Sequence, residues 1–364
     1  MRKKVLHVIT NFSALGGAEM MLQKLILAQP EYDHYLISLI NLSDIYEESL
    51  KQVKLSKALN WKITNTAKTI SSLAKEIDSI QPDIIQSWMY HANFMVTIAN
   101  TFCKQSYPIY WGIHHSLNSI SEESLSTKAA IYLNKYLSKK ATGIVYCAQS
   151  SLKQHMRFGF KNKNQVFIPN GIDLEKFRFV ERDFSSPITI GFVGRNHKAK
   201  GIPYLFEVMS AFKDDPRIEF RVAGKGLSLK DKEIEDLSKK FVIGTNVILL
   251  DAVKEMEAFY HGIDVLLMTS ITEGFPNVLI EAMATGAICI STDVGDAKEI
   301  VGGKNNIAPI HDITTLIKLI NDYLNMNVLL KKDISKKACM HVEKNFSLEC
   351  IVSEYSSMWQ LKIM

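Results

Sequence analysis

Two glutamates eight positions apart, Glu273 and Glu281, lie in the run Thr272-Glu-Gly-Phe-Pro-Asn-Val-Leu-Ile-Glu-Ala-Met-Ala-Thr-Gly286. Pro276 suits the first turn of a helix and Gly286 its C-terminal stop. The helix would open just after a strand, leaving free backbone N–H groups around Asn277, Val278 and Leu279. Such an end is an anion site suited to a diphosphate. Glu273 precedes the helix and Glu281 falls about one and a half turns into it. One carboxylate is then placed to reach a sugar, while the other can accept hydrogen bonds from a ribose diol. A capped helix with two solvated glutamates gives the same local pattern, so this element does not decide the matter alone.

Further candidates follow other apolar runs. Gly194-Arg195 and Lys200-Gly201 come after Ile188–Val193. An arginine and a lysine on such a loop can neutralise charge growing on a leaving nucleotide, where plain surface charge is the alternative. Gly16-Gly17 would let backbone approach phosphates, but they form no G-x-G-x-x-G pattern, which argues against a dehydrogenase. His114-His115 close the run Ile109–Ile113, and the side-chain alternation at a strand end favours His114, with His115 as the alternative. Trp88-Met-Tyr-His-Ala-Asn93 offers aromatics that either stack on a sugar or pack in a core. No D-x-D occurs anywhere, which fits phosphate charge being met by Arg195, Lys200 and helix N–H groups, without a metal.

The elements that must carry these residues alternate regularly. Val5–Thr10, Tyr35–Ile40, Ile84–Ser87, Ile109–Ile113 and Ile144–Cys147 read as strands buried on both faces, with amphipathic stretches such as Glu19–Ala28 and Ile70–Ile80 between them. The rhythm restarts at Ile188–Val193 and continues through Ile218–Ala223, Val247–Leu250, Val265–Thr269 and Ile288–Ser291. Strand and helix in alternation imply parallel sheets covered on both sides, so two series imply two Rossmann-like domains. The turn-rich Pro169–Asp173 marks the boundary, followed by a polar connecting stretch, Leu174–Pro187. The expected domains are 1–172 and 173–345. A final amphipathic helix, 346–364, is expected to return to the first domain. It would bury Ile351, Tyr355 and Trp359. Ligands of such sheets bind at the carboxyl ends of the strands, which puts the expected active site in the cleft between the domains.

Bulk properties exclude several classes. The 364 residues are 47% hydrophobic and 22% charged, an ordinary globular composition. Five cysteines lack any C-x-x-C spacing, which points to reduced thiols in a cytoplasmic protein and away from a zinc site. The opening Met1–Ile9 reads as a first strand, and no apolar run approaches the ~20 residues of a membrane span. Residues 1–182 hold 22 Lys and Arg against 14 Asp and Glu, a surplus of 8, whereas the remainder holds 21 against 24. The basic half suits an anionic membrane surface, a pyrophosphate-bearing acceptor or simple solvation. Its cations are dispersed and not interleaved with aromatics, so nucleic acid is not expected.

The ordered set of motifs resembles the family-4-type retaining glycosyltransferases. The E-x7-E element Glu273–Glu281 is joined by Gly16-Gly-Ala-Glu19, Pro169–Asp173, Gly194-Arg195…Lys200-Gly201, Ala223-Gly-Lys-Gly226, Asp264-Val265 and Thr292-Asp-Val-Gly-Asp296. Together they span nearly the whole chain. The resemblance implies an α/β GT-B fold and transfer of a sugar, with retention, from a nucleotide diphosphate, with UDP expected, to a glycan or lipid-linked hydroxyl. A role in bacterial surface-polysaccharide assembly is implied as well. It places Glu273 and His114 at the catalytic centre and Arg195 and Lys200 on the diphosphate. Gly16, Gly17, Val253, Phe275, Asn277, Val278, Leu279 and Glu281 complete the donor contacts. It implies no metal and no cofactor besides the donor. Asp251 departs from the pattern, since relatives often carry glycine there, and this leaves the base open. Two other readings of the same scaffold are a sugar-nucleotide 2-epimerase, which would lack the E-x7-E helix, and a non-catalytic nucleotide-sugar-binding subunit.

Overall fold

The computed structural model describes residues 2–14, 16–117 and 120–360. The chain divides into two compact units, one of Met1–Gly171 with the chain from Leu348 onward, the other of Ile172–Ser347. The first is built on seven strands: β1 (Lys4–Ile9), β2 (Asp33–Ser38), β3 (Leu55–Ala58), β4 (Ile84–Trp88), β5 (Ile109–Ile113), β6 (Gly143–Tyr146) and β7 (Gln165–Phe167). They form one sheet in the order β3-β2-β1-β4-β5-β6-β7, and every pairing is parallel. Helices cover both faces, so β4, β5 and β6 are buried at every position. Alternation along β1 sends Val5 and Ile9 into one core and Leu6 and Val8 into the other.

The helix Leu348–Trp359 belongs to this unit. It buries Ile351, Tyr355, Met358 and Trp359 in the core of Val5, Leu22 and Trp88. The Trp359 indole N–H donates to Gln86 Oε1 at 3.0 Å, and Gln29 Nε2 donates to Ser356 Oγ at 2.9 Å. The sequence places the start of this helix at Phe346, but that residue ends the preceding helix, Val328–Phe346. Ser347, in extended conformation, separates the two and bridges to Ile172. Residues 361–364, the expected end of the helix, lie outside the described residues.

The second unit has six parallel strands: β8 (Ile188–Val193), β9 (Ile218–Ala223), β10 (Val247–Asp251), β11 (Val265–Met268), β12 (Ile288–Thr292) and β13 (Ile307–Ala308). Their order is β10-β9-β8-β11-β12-β13. β10 corrects the expectation of burial on both faces, because it is an edge strand with Ile248 and Leu250 exposed. The stretch 174–187 corrects another. It is a packed part of this unit, since Phe177 and Phe184 are buried. The Arg182 guanidinium, also buried, donates to the carbonyls of Ile263 and Tyr260 at 2.8 and 2.7 Å and to that of Thr285. In each sheet the chain reverses its winding once, between β1 and β4 and between β8 and β11. A crevice opens at such a point beyond the carboxyl ends of the strands. No helix among the described residues is long and apolar enough to cross a membrane.

Candidate functional site

In the second unit, the loops after β8 and β11 are fastened to each other. The Ile271 amide donates to Ala199 O at 2.9 Å, and the Thr269 hydroxyl donates to Lys200 O at 3.1 Å. This brings Lys200 Nζ to 2.6 Å from Glu273 Oε1, with the two side chains 21% and 13% exposed. Ser270 Oγ donates to the same carboxylate oxygen at 2.7 Å. A third loop supports Glu273 from behind. Gly295 has φ +56°, and a Cβ on it would lie 2.6 Å from Gly274 O and 3.0 Å from Glu273 O, so only glycine permits the approach. Gly274 differs, because a Cβ there would meet no protein atom within 4 Å.

The helix after Glu273 runs from Asn277 to Ala284. Its opening corrects the expectation of three free amides. The Asn277 N–H donates to Phe275 O at 3.0 Å and the Leu279 N–H to Pro276 O at 3.1 Å, because the Phe275–Pro276 turn closes tightly on the helix start. Phe275 is buried, and its ring lies 5.9 Å from that of Phe346. Glu281 is half-buried, one turn further along, and its Oε2 accepts from the hydroxyl of the buried Tyr260 at 2.7 Å. Burial, and secondly the Glu281 charge, push the Tyr260 pKa well above its ordinary value, so this phenol remains a donor.

Arg195 is exposed on the loop after β8. Val253 is half-exposed on the loop after β10, and the shape of that loop comes from Asp251. Asp251 adopts φ 55°, the left-handed region that favours glycine and that aspartate tolerates better than most residues. Its Oδ1 accepts from the Gly226 amide at 2.9 Å and its carbonyl from the Gly224 amide at 2.7 Å. The departure from glycine therefore keeps the turn and adds a side-chain tether.

In the first unit, Gly16 caps the helix Gly17–Ala28. A Cβ on Gly16 would lie 2.3 Å from Glu19 Oε2, so glycine lets this carboxylate fold over the helix start. Burial raises the Glu19 pKa, opposed by a hydrogen bond to its own backbone. His114 follows β5, and its ring centroid lies 5.3 Å from that of Trp88. Both ring nitrogens are buried. Burial pulls its pKa down to about 4, against an upward pull from the Asn170 side chain. His115 faces elsewhere. Its Nε2 lies 2.9 Å from Glu123 Oε1, and its carbonyl accepts from Ser151 Oγ at 2.6 Å.

The aromatic run after β4 goes to the core. Trp88 and Tyr90 are buried, and Tyr90 Oη is 2.6 Å from His155 Nε2. Only Met89 and His91 of the Trp88–Asn93 stretch retain some exposure, and Met89 holds φ 72° at the carboxyl end of β4, a strained conformation for this residue type. Sequence reasoning does not find Ser270 or Tyr260, since neither sits in a pattern of spacing, and Met89 is legible only as part of the Trp88–Asn93 run. Asn170 is legible only as part of a turn. The structure brings Lys200, Glu273 and Ser270 into direct contact, joins Glu281 to Tyr260, and sets His114 apart from His115. Among the described residues no group of three or more His, Cys, Asp or Glu could hold a metal ion.

Comparison with known proteins adds the following. Residues 187–326 match the family described as glycosyl transferases group 1, and residues 15–176 match glycosyltransferase family 4. The chain is 26% identical, over 77% of either chain, to the capsular polysaccharide biosynthesis glycosyltransferase CapM of Staphylococcus aureus. It is 25% identical to an uncharacterized 41.2 kDa protein in the cps region of Klebsiella pneumoniae, over 82% of this chain and 86% of that one. The structure of Anabaena HepE in complex with UDP and glucose is similar in fold, with a TM-score of 0.80 at 18% identity over 98% of both chains.

Proposed function

The chain belongs to the family-4-type GT-B glycosyltransferases, and from that premise we propose a retaining transfer of a sugar from UDP to a hydroxyl of a glycan or lipid-linked acceptor. The observation that carries this reading is the Lys200–Glu273 pair, held 2.6 Å apart at the carboxyl ends of β8 and β11. An incoming diphosphate competes for Lys200 and, with Arg195, gains the cations that a metal ion would otherwise supply. Glu273, still held by Ser270, then accepts from a hydroxyl of the donor sugar and orients it. The open space beside Gly274 suits a sugar ring at this point. Glu281, oriented by Tyr260, takes the ribose diol, and Val253 flanks the base.

His114 stays neutral near pH 7 with its pKa at about 4. Its buried neutral imidazole suits a contact with sugar hydroxyls, and its backbone carbonyl suits developing positive charge. In the proposed step the bond from C1 to the leaving phosphate oxygen breaks. The acceptor oxygen bonds C1 on the same face, and its proton passes to the departing phosphate. Glu273 orients and does not attack. The proposed setting is surface-polysaccharide assembly on the cytoplasmic face of a membrane, with a lipid-linked acceptor. The polysaccharide context of CapM supports this setting.

Thermal-shift measurement against a panel of nucleotide sugars tests the reading. One nucleotide series should stabilise the protein by about 2.7 kcal/mol at a hundredfold excess over Kd. The stabilising donor should then be slowly hydrolysed when no acceptor is present. A C2 epimer formed from donor alone would establish the epimerase reading instead. Binding without hydrolysis or transfer would leave only a binding subunit.

A further inference from the structure

We infer that the outward face of the helix Leu125–Leu137, with the basic surface around it, docks on the anionic surface of a lipid bilayer. This deepens the proposal of a lipid-linked acceptor and rests on it. The inward face of the helix buries Ala130, Ile131 and Asn134. Its outward face is apolar as well: Leu125 is 84% exposed, Tyr136 76%, Tyr132 48% and Leu133 42%. Leu125, Ala129, Tyr132 and Tyr136 follow the spacing of a single stripe. A water-facing stripe is ordinarily charged, and a contiguous apolar one marks an interaction surface. The stripe continues onto the neighbouring helix, Gln149–Phe158. The Phe158 ring packs edge-on to Tyr132 at 5.2 Å, Lys135 Nζ lies 4.9 Å from the Phe158 centroid, and Met156 is 53% exposed.

The charge around the stripe identifies the occupant. Residues 124–172 contain eight Lys and Arg and no Asp or Glu, a surplus of 8 − 0 = 8. That equals the whole surplus of residues 1–182, 22 − 14 = 8, so the positive excess of this half is concentrated here. Beyond the C-terminal end of the helix, Lys139, Lys140, Lys161 and Lys163 line a recess of about 600 Å³ with no carboxylate in its wall. Tyrosine and leucine that enter the headgroup boundary, ringed by lysines that meet anionic headgroups, are the chemistry of an interfacial helix. A protein partner would need counter-charges of its own, whereas an anionic bilayer supplies them everywhere.

Flotation of the full chain with phosphatidylcholine vesicles, with and without phosphatidylglycerol, tests this. Binding should require phosphatidylglycerol and weaken as salt is raised. The double variant Lys139→Gln/Lys140→Gln should lower partitioning roughly tenfold, and Leu125→Ser/Tyr136→Ser by a comparable factor, both with an unchanged Tm and unchanged donor hydrolysis. Wild-type partitioning by both variants, or no binding to either vesicle, would overturn the inference. Concentration-dependent self-association abolished by Leu125→Ser/Tyr136→Ser, without vesicle binding, would overturn it too by assigning the stripe to a second copy. Donor hydrolysis is read separately, so loss of the docking inference and loss of the transferase reading are distinguishable.

Discussion

Glu273 accepts from Lys200 and Ser270 through one oxygen, so its second oxygen is the one left to meet a substrate. Glu273→Gln should therefore damage turnover of the full donor and spare affinity for bare UDP. Glu281→Gln should weaken UDP itself, because an amide is a poorer partner for a diol than a carboxylate. Calorimetry in which both variants lose UDP equally would refute this division. Arg195→Ala and Lys200→Ala should each cost on the order of 10²–10³ in rate with the fold intact, and near-normal turnover in both would remove them from the diphosphate. The buried histidines give a pH prediction. Burial holds His7 well below its ordinary value, His114 at about 4 and His155 at about 3. Once unfolded they would titrate near 6.5, so the unfolded chain binds more protons below that pH. Stability from these groups is complete above about pH 6.5 and declines as pH falls toward the folded values. Urea titrations that show no loss between neutral and mildly acid pH would contradict their neutral burial.

The helix Leu348–Trp359 shows how elements were and were not legible. Ile351, Tyr355 and Trp359 give a stripe that any helix must bury, and the structure buries it against the first sheet. Its start was misplaced because Phe346 continues the apolar pattern while the break rests on the backbone of Ser347. Strands with a continuous apolar run were readable too; β4, β5 and β6 are covered on both faces, while β10 carries such a run at an exposed edge. β3, β7 and β13 were not readable. Leu-Ser-Lys-Ala is an exposed edge, and strands of three and two residues carry no period. In the site, the glutamates and basic residues were visible as motifs. Their holders, Ser270 and Tyr260, were not, since contact between loops has no signature in spacing. Trp359→Ala should cost about 3–5 kcal/mol, from lost packing and the Gln86 bond left unmade. A urea midpoint equal to wild type would show that the helix contributes little to the unit.

At the scale of the whole molecule, two parallel sheets each reverse their winding once, and the loops that carry Lys200 and Glu273 follow the two strands flanking the second reversal, β8 and β11. The residues proposed to hold the donor, Lys200, Glu273 and Glu281, lie in the unit whose sequence shows the more specific motifs. The basic surplus lies in the other unit, to which the docking proposal assigns the bilayer contact. The proposal of metal independence belongs at this scale too, since it assigns the charge on the diphosphate to Arg195 and Lys200. Turnover is expected to survive EDTA, and activity lost to chelation and restored by Mg²⁺ would contradict the assignment. The most direct measurement is of stereochemistry. Proton NMR of the sugar released from an α-linked UDP-sugar during slow hydrolysis, read before mutarotation, reports the configuration at C1. The account expects the α anomer first, and the β anomer appearing first would contradict retention.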